Sequence, residues 1–263
     1  MPILFLFLQF LTLFPDGGYL GRPGGFKTVF QSDYASSSTA WNHNQNSYSI
    51  PQLTDLKFST GFEYTLSETA RMAAGVTLFT SSKLGNEKSS GLGDGAISFS
   101  YGIRPFKSLS LAGTLALRVP FGSPGRLDNP IPSGWDEFQS SFLLSGSWFP
   151  FRVSSFSVLM ETGATLRGNN KNHEMNAGAG LEFDADYFKA RAWNRWKFPL
   201  GPINATDSPL TGSANGVSWG MLSGCLELPL MAEWGVIYSA DWYFILQNMG
   251  TPIVQRLAVT KWF

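Results

Sequence analysis

Residues 55–66 have the sequence Asp-Leu-Lys-Phe-Ser-Thr-Gly-Phe-Glu-Tyr-Thr-Leu, in which apolar and polar side chains alternate. The even-numbered positions carry the large apolar residues, namely Leu56, Phe58, Phe62, Tyr64 and Leu66. Successive side chains of a β-strand point to opposite faces of a sheet, so this pattern predicts a strand with one apolar and one polar face. A helix would instead place its apolar residues three or four positions apart.

Segments of this kind recur along the whole chain, and helical spacing does not appear over a comparable length. We predict twelve strands, near residues 24–34, 54–66, 70–83, 94–104, 109–120, 137–149, 153–167, 174–184, 187–198, 217–229, 234–247 and 253–263. Short connections alternate with longer polar ones, which span residues 35–53, 84–93, 121–136, 168–173, 199–216 and 248–252. Short turns at one end and long loops at the other are typical of an outer-membrane barrel, with both chain ends on the periplasmic side.

The composition excludes several other classes of protein. Charged residues make up 14% of the chain, aromatic residues make up 15% and the net charge is zero, which is unlike a disordered or nucleic-acid-binding protein. One cysteine cannot form a disulfide framework or a thiolate metal site, and the sequence indicates no cofactor and no metal. After residue 14 no apolar run approaches the length of a transmembrane helix, whereas a barrel hides its apolar residues in alternation.

A soluble β-sandwich would also show alternation, but it would expose a densely charged face. Here the polar faces are rich in Ser, Thr, Gly and Asn instead. Aromatic residues cluster at the strand ends, as in the interfacial girdles of membrane barrels: Trp148, Phe149, Tyr187, Phe188, Trp196, Phe198, Trp234 and Trp262. The sequence therefore predicts an all-β, antiparallel, up-and-down transmembrane barrel.

The N-terminal residues need a separate interpretation. The first fourteen residues are nearly all apolar and are followed by Pro15-Asp16-Gly17-Gly18. Their length matches the apolar region of an export signal, although the usual preceding basic residue and a clear Ala-x-Ala cleavage site are absent. We predict that residues 1–18 are a signal peptide or a separate N-terminal segment, the alternative being a buried segment. Residues 19–263 are predicted to form a single barrel domain.

The last predicted strand, Ile253-Val254-Gln255-Arg256-Leu257-Ala258-Val259-Thr260-Lys261-Trp262-Phe263, resembles the C-terminal assembly signal of bacterial outer-membrane proteins. That signal ends in Phe and has apolar residues at every second position before it. Phe263, Val259, Leu257 and Ile253 match it, and Lys261 and Gln255 depart from it. The resemblance implies a bacterial outer-membrane location. It also implies outer-membrane lipid, including lipopolysaccharide, and the barrel-assembly machinery as partners.

A second resemblance is confined to residues 91–122. Gly91-Leu92-Gly93-Asp94-Gly95 leads into a strand, and a later strand ends in Pro120-Phe121-Gly122. This arrangement resembles the phenol-degradation (meta-pathway) outer-membrane transporters, which are related to the long-chain fatty acid transporters. Phe121 stands where that family has Thr. The resemblance implies uptake of small, hydrophobic molecules.

The segment from Phe188 to Phe198 fixes which face is inside. Lys189, Arg191, Trp193, Arg195 and Lys197 share one parity, and four cations on one face would be costly in hydrocarbon. We therefore predict that these five side chains line the lumen. If Ala185-Asp186 is a two-residue turn, Glu182 lies opposite Lys189 and Glu174 lies opposite Lys197. Arg191 and Arg195 would then have no opposing carboxylate in this strand pair, although inward acids on other strands, such as Glu161, could still reach them.

Other charged residues are predicted to point inward by the same parity. The cations are Arg71, Arg104, Arg118, Arg167 and Arg256, and the acids are Asp55, Glu63, Glu161 and Asp241. Two interpretations are open. Arg191, Trp193 and Arg195 could form a constriction that attracts an anionic or aromatic solute. Alternatively, the cations complete an ion-pair network that fills a narrow lumen. The segment 217–229 is ambiguous: Trp219, Met221 and Glu227 share one parity, and Leu222, Leu226 and Leu228 share the other.

Three functions are compatible with such a barrel. We expect a channel or transporter for passive or facilitated uptake of small solutes. The alternative is a structural or interaction barrel with a sealed lumen that acts through loops 35–53, 121–136 and 199–216. A lipid hydrolase is a weaker alternative, because it needs a nucleophile beside an oriented base and the two histidines, His43 and His173, lie in predicted loops. No catalytic residue is therefore predicted, and Cys225 is expected to be a packed, reduced side chain.

Overall fold

The computed structural model of the chain describes residues 23–42, 44–122, 138–150, 155–168, 172–185, 187–201, 218–231, 233–247, 249–250 and 253–263. It contains fourteen strands: β1 (Phe26–Trp41), β2 (Ser47–Ser67), β3 (Ala70–Leu84), β4 (Glu87–Gly91), β5 (Gly95–Phe106), β6 (Leu109–Val119), β7 (Gln139–Trp148), β8 (Phe156–Arg167), β9 (Glu174–Ala185), β10 (Phe188–Pro199), β11 (Ser218–Met231), β12 (Trp234–Gln247), β13 (Met249–Gly250) and β14 (Ile253–Trp262). Within these residues no helix is long and apolar enough to cross a membrane.

Twelve of the strands, all except the short β4 and β13, form a closed antiparallel barrel. Each pairs with its neighbours in the chain, and the barrel closes where β1 pairs with β14 over ten residue pairs, from Lys27↔Trp262 to Ser36↔Ile253. The other side of β1 pairs with β2. Because every barrel strand has partners on both sides, no open sheet edge faces lipid. The predicted fold class and strand number are confirmed.

The predicted loop 35–53 is wrong in part. β1 continues to Trp41 and β2 begins at Ser47, so the two strands form a long hairpin. The sequence hides this extension because residues 36–39 are all Ser or Thr. A strand that continues beyond the apolar band has no lipid to face and needs no apolar side.

The predicted loop 84–93 also contains a strand, because β4 folds back on β3 through Gly85 and Asn86. Gly85 has a φ of +58°, a conformation in which glycine is favoured, and an added Cβ would lie 3.2 Å from Pro51. The predicted connection 248–252 likewise includes β13, which pairs with the end of β1. The loops 121–136 and 199–216 fall largely outside the described residues.

The distribution of side chains is that of a membrane barrel, with apolar residues outside and polar residues inside. The exposed apolar residues on alternate strand positions include Phe30, Phe58, Phe62, Met72, Ile97, Phe99, Leu115, Phe142, Leu144, Met160, Leu166, Leu181, Leu222, Trp242 and Leu257. The buried polar residues include Gln31, Asp33, Asp55, Lys57, Arg118, Gln139, Arg167, Glu174, Arg191, Arg195, Lys197, Asp241 and Arg256. A continuous apolar surface of this extent is stable only against lipid.

A cluster of apolar residues packs inside the barrel. Val29, Ala73, Ala96, Ile237 and Ala258 form this cluster, and Cys225 packs against it as a free, half-buried thiol. The prediction for this cysteine is confirmed.

The first and last strands of the barrel are joined by contacts at the short-turn end. The backbone N–H of Phe263 donates to the carbonyl of Phe26 at 2.8 Å, and the two rings lie 5.8 Å apart. Lys261 lies over the rings of Trp234 and Phe263, at 5.1 and 4.6 Å from their centroids. These contacts place aromatic and cationic groups at the barrel end, as expected for an interfacial girdle.

Lipid exposure predicts different costs for a charge at different depths. Leu115 is 59% exposed near the middle of β6, and we expect Leu115→Lys to lower the free energy of unfolding by about 2–4 kcal/mol. Tyr187 is 83% exposed beside the short turn before β10, and Tyr187→Lys should cost about 0–1 kcal/mol. Urea titration of the folded protein in lipid vesicles measures both values. Equal losses for the two variants would contradict the assigned lipid-facing band.

Candidate functional site: the barrel interior

The inward face of β10 is the part of the lumen that the sequence predicts most directly. Arg191, Trp193, Arg195 and Lys197 are all buried, whereas Ala192 and Phe198 between and beside them are exposed. Lys189, closer to the short turn, is half-buried. The predicted orientation of this strand is therefore confirmed.

The predicted register between β9 and β10 is wrong by two positions. Ala185 pairs with Phe188, so the connection consists of residues 186–187 rather than Ala185-Asp186. A turn that starts one residue later moves every opposing partner by two. Arg191 consequently lies opposite Glu182, and Lys197 lies opposite Asn176.

In this register Arg191 has an opposing carboxylate, which the predicted register did not provide. The Arg191 guanidinium forms an ion pair with Glu182 and lies 4.0 Å from a carboxylate oxygen of Glu227 on β11. Lys189, predicted to face Glu182, instead contacts Asp184 at 2.9 Å. Arg191 is thus held between two acidic side chains on the adjoining strands.

Arg195 is paired across two strands. Its direct neighbour on β9 is Gly178, and Glu161 on β8 reaches over that glycine to within 2.7 Å of the Arg195 Nε. An added Cβ at Gly178 would lie 3.0 Å from both side chains, so the glycine leaves the space for this bridge. The sequence allowed that Glu161 could reach an unpaired cation, and the structure confirms this contact.

Trp193 packs on the other glycine of β9. An added Cβ at Gly180 would lie 2.7 Å from the indole ring, which shows that the ring rests directly on the backbone there. The Arg195 guanidinium carbon lies 4.9 Å from the Trp193 ring centroid, a cation–π geometry. Gly178 and Gly180 therefore make the inner surface of β9 a floor for the long side chains of β8 and β10.

A second cluster lies nearer the long-loop end. Glu174 contacts Lys197 at 2.6 Å and Arg167 at 3.1 Å, and Arg118 on β6 donates to Gln139 on β7 at 3.2 Å. The predicted contact between Lys197 and Glu174 is confirmed, although the two residues are diagonal neighbours and not direct partners. We call these five residues the upper network.

A third cluster lies where β12, β14, β1 and β2 adjoin. Arg256 pairs with Asp241, lies 3.9 Å from Asp33, and donates to Ser239 at 3.1 Å. Lys57 contacts Asp55 at 3.2 Å. The sequence interpretation identified Arg256 and Asp241 as inward but missed Asp33, which has the inward parity of β1 beside Gln31.

Three large residues whose orientation the sequence did not settle point inward. Trp219, Met221 and Tyr243 are buried in the lumen, and the Trp219 and Tyr243 rings meet edge to face at 5.4 Å. Trp219, Met221 and Glu227 thus form the inward set of β11. The Trp193 Nε1 and the Tyr243 hydroxyl are buried and have no hydrogen-bond partner within the described part of the chain.

The predicted inward orientation is confirmed for one of the two remaining cations and is wrong for the other. Arg71 lies inside and contacts Glu63 at 3.4 Å. Arg104 does not line the lumen: it is exposed and donates to the carbonyl of Lys107 at 2.8 Å. An irregularity in the β5–β6 register between Ile103 and Phe106 ends the alternation before the turn and releases Arg104 from the inner face.

Exposure of the charged side chains changes along the barrel axis. Near the short turns, Glu182 is 15% exposed and Lys189 and Glu227 are each 28% exposed. In the upper network Arg167 and Glu174 are 1% and 2% exposed. The charged side chains are therefore more accessible near the short turns than in the upper network.

The two sides of the lumen carry different side chains. On β5, β6 and β7 three inward residues are large, namely Arg118, Gln139 and Leu143, and the others are small: Ala96, Ser98, Ser100, Gly102, Ser110, Ala112, Thr114, Ala116, Ser141, Ser145 and Ser147. The ion pairs of the three clusters all join residues of one strand or of strands at most two apart, so they run around the wall. The long charged side chains in these pairs thus lie close to the strands that carry them.

The histidines do not assemble a catalytic site in the part of the chain that the structure describes. His173 Nδ1 accepts a hydrogen bond from the Arg167 backbone N–H at 3.2 Å, which is a loop-closing contact. His43 falls outside the described residues, as do residues 1–18. Among the described residues no group of His, Cys, Asp and Glu is arranged to hold a metal ion.

No protein-family model matches the chain, and no curated protein matches it. An outer-membrane channel from Pseudomonas putida F1 has a TM-score of 0.77 at 12% identity, over 95% of this chain and 99% of that one. The translocator domain of the autotransporter NalP from Neisseria meningitidis has a TM-score of 0.54 at 11% identity, over 93% and 90%. The NanC porin has a TM-score of 0.52 at 9% identity, over 89% and 98%. The chain therefore has the fold of bacterial outer-membrane β-barrels, as its last strand suggested.

The corrected register can be tested by a double-mutant cycle. For Arg191→Met and Glu182→Gln we expect a coupling free energy of about 1–3 kcal/mol, because the two side chains are in contact and mostly buried. The Lys189→Met and Glu182→Gln cycle should give less than about 1 kcal/mol, as for a partly exposed pair without direct contact. Urea unfolding of the four variants in each cycle gives both values. A larger coupling for Lys189 would restore the register with the turn at Ala185-Asp186.

The glycine floor predicts a second stability difference. Gly180→Ala should lower the free energy of unfolding by about 1–3 kcal/mol, since its Cβ would lie 2.5 Å from the Ala192 carbonyl oxygen and 2.7 Å from the Trp193 ring. Gly224→Ala on β11 is the matched control, because nothing lies within 4 Å of its added Cβ. We expect that variant to be as stable as the wild type or slightly more stable. Unfolding in urea, followed by tryptophan fluorescence, compares the two. Similar stabilities would mean that Trp193 does not rest on Gly180.

Proposed function

We propose that the protein is a bacterial outer-membrane channel for small solutes, and that the upper half of its lumen is the constriction. The observation that carries this proposal is the course of the ion pairs described above, which join residues of one strand or of strands at most two apart. Charges paired in this way keep long side chains close to their own strands. On β5–β7 the inward residues other than Arg118, Gln139 and Leu143 are Ala, Ser, Thr and Gly, which leaves room for a passage beside this part of the wall.

The pairing of the cations bears on which solutes would pass. Arg191, Arg195 and Lys197 each contact a carboxylate, so they do not form the excess of positive charge expected of an anion-selective ring. The aromatic part of the sequence prediction is better supported. Trp193 and Tyr243 are large inward residues whose indole N–H and phenol hydroxyl are buried and have no hydrogen-bond partner in the described part of the chain. We infer a preference for uncharged or weakly polar solutes with an aromatic or other apolar face.

A non-catalytic role is part of this proposal. The three similar structures are a channel, a translocator domain and a porin, which supports passage across the membrane over a reaction at a site. An outer-membrane location is supported by the same likeness and by the exposed apolar band. We further propose that Phe263 serves as the assembly signal read by the barrel-assembly machinery.

A sealed interaction barrel is the second candidate, and the burial of the upper network favours it. Arg167, Glu174 and Lys197 are almost inaccessible, as in a lumen filled by ion pairs. A sealed barrel would not conduct ions, and its activity would depend on its long loops. Single-channel recording of the refolded protein in a planar bilayer separates the two candidates. A folded protein that never conducts would overturn the channel proposal.

The upper network predicts a change in ion selectivity. Glu174→Gln removes the carboxylate shared by Lys197 and Arg167, and we expect the permeability ratio of anions to cations to rise about fivefold, or about 1 kcal/mol for one ion near one unit charge. Lys197→Met should shift the ratio in the opposite direction. Reversal potentials in a salt gradient measure both shifts.

Glu68→Gln serves as the control, because Glu68 is exposed in the turn between β2 and β3 and should not affect selectivity. Folding of each variant is checked by its heat-dependent mobility on a gel. Unchanged selectivity in both folded network variants would place the constriction elsewhere in the barrel.

A further inference from the structure

We propose that the outer surface of the barrel, at the seam between β1 and β14, binds the uncharged sugar portion of an outer-leaflet glycolipid. This inference rests on the outer-membrane location proposed above, but it does not depend on whether the lumen conducts. A groove of about 610 Å³ lies at this seam, lined by Tyr34, Ser36, Gln52, Trp242, Ile253 and Gln255 together with hydroxyl residues at the end of β1. We call it the seam groove.

The seam groove belongs to the outer face of the barrel. Tyr34 and Ser36 alternate with the buried, inward Asp33 and Ala35, and Gln255 lies between the buried Val254 and Arg256. Tyr34 and Gln255 are direct cross-strand partners, as are Ser36 and Ile253. These side chains therefore point to the lipid side, where the other strands of the barrel present mainly apolar residues.

The depth of the seam groove places it at the membrane surface. Tyr34 is eight residues above the start of β1 at Phe26, and Trp242 is eight residues above the start of β12 at Trp234. At about 3.3 Å per residue and a tilt of about 40°, both side chains lie about 20 Å above the short-turn ends. An apolar band is about 25 Å tall, so Ser36, Gln52 and the rest of the groove reach the headgroup level of the outer leaflet.

The polar side chains in the seam groove need a bound group that can form hydrogen bonds with them. Gln255 is exposed and its amide makes no hydrogen bond within the described part of the chain. Among the described residues, the Gln52 side-chain amide hydrogen-bonds to the Ser36 hydroxyl alone, at 3.4 Å between Nε2 and Oγ. An amide facing hydrocarbon without partners is costly, and acyl chains offer none. A headgroup that both donates and accepts hydrogen bonds would satisfy these side chains.

The chemistry of the lining selects among headgroups. The described lining residues carry hydroxyl, amide and aromatic groups, and none of them is charged. Phosphate groups are normally bound by Arg or Lys, so a phosphate is not the part that this groove recognises. The rings of Tyr34 and Trp242 are 45% and 57% exposed at its two sides. Flat rings beside hydroxyl and amide groups fit a sugar, which has apolar C–H faces and hydroxyl edges.

The test compares two glycolipids, one with and one without a core saccharide. Purified, folded protein in detergent is titrated with rough lipopolysaccharide, which carries a core saccharide, and with lipid A, which lacks it. We expect the wild type to bind the first more tightly. The double variant Gln52→Leu/Gln255→Leu should lose about tenfold in affinity for rough lipopolysaccharide, as expected for two lost hydrogen-bonding groups, and should bind lipid A like the wild type. Trp242→Leu should weaken the same interaction.

Trp148→Leu is the matched control, because Trp148 is also an exposed outward tryptophan but lies at the short-turn end of β7. It should leave binding of both lipids unchanged. The leucine variants remove polar groups from a lipid-facing surface, so we expect them to fold at least as well in phospholipid vesicles. An increase in the free energy of unfolding of these variants would be a second measure of the cost of placing the two amides on the lipid-facing surface.

Three outcomes would overturn the inference: equal wild-type affinity for the two glycolipids, unchanged affinity in both folded seam variants, or a wild-type dimer that the seam variants dissociate. The third would assign the groove to a second copy of the chain. None of these outcomes depends on conductance, so a silent barrel that binds rough lipopolysaccharide through the groove would refute the channel proposal alone.

Discussion

The closure of β1 on β14 is the constraint on which the rest of this structure depends. A backbone N–H or C=O that faces hydrocarbon without a partner costs several kcal/mol, and closure gives the strands partners on both sides. Closure also separates two environments. Each strand must then present one parity to lipid and the other to a confined interior, and this requirement produces the alternation seen from residue 55 onward.

The interior accommodates its charges by local pairing. Arg191 with Glu182, Arg195 with Glu161 and Arg256 with Asp241 each join strands that are adjacent or nearly adjacent. Removing one member of such a pair leaves a buried charge without its partner, which is why the pairs also fix the relation between strands. Gly178 and Gly180 contribute because they have no side chain. The bridge from β8 to β10 and the Trp193 ring occupy the space above them.

Features set by covalent geometry could be predicted from the sequence, whereas features set by the choice of turn could not. Strand number and the inward face of β10 depend only on the two-residue period, and both are confirmed. The β9–β10 register depends on a turn with no Gly or Asn to mark its position, and one residue of error moved Arg191 away from Glu182. The contact between Arg195 and Glu161 spans three strands and cannot be obtained from pairs of neighbours. The orientation of Trp219 was left open and Tyr243 was missed, because an aromatic residue in such a strand is as compatible with lipid as with the lumen.

The residues that break the rule of an apolar outside and a polar inside are the ones for which function is the best explanation. Trp193, Trp219 and Tyr243 are large apolar rings inside a polar lumen, and Gln52 and Gln255 are polar groups on the outer face. A barrel needs neither set in order to close. Inside, the buried rings fill part of the lumen. Outside, the amides lie where the bilayer itself changes from hydrocarbon to headgroup. Both sets depart from the alternation in the direction that a ligand would require, which links the interior to passage and the seam to the surrounding lipid.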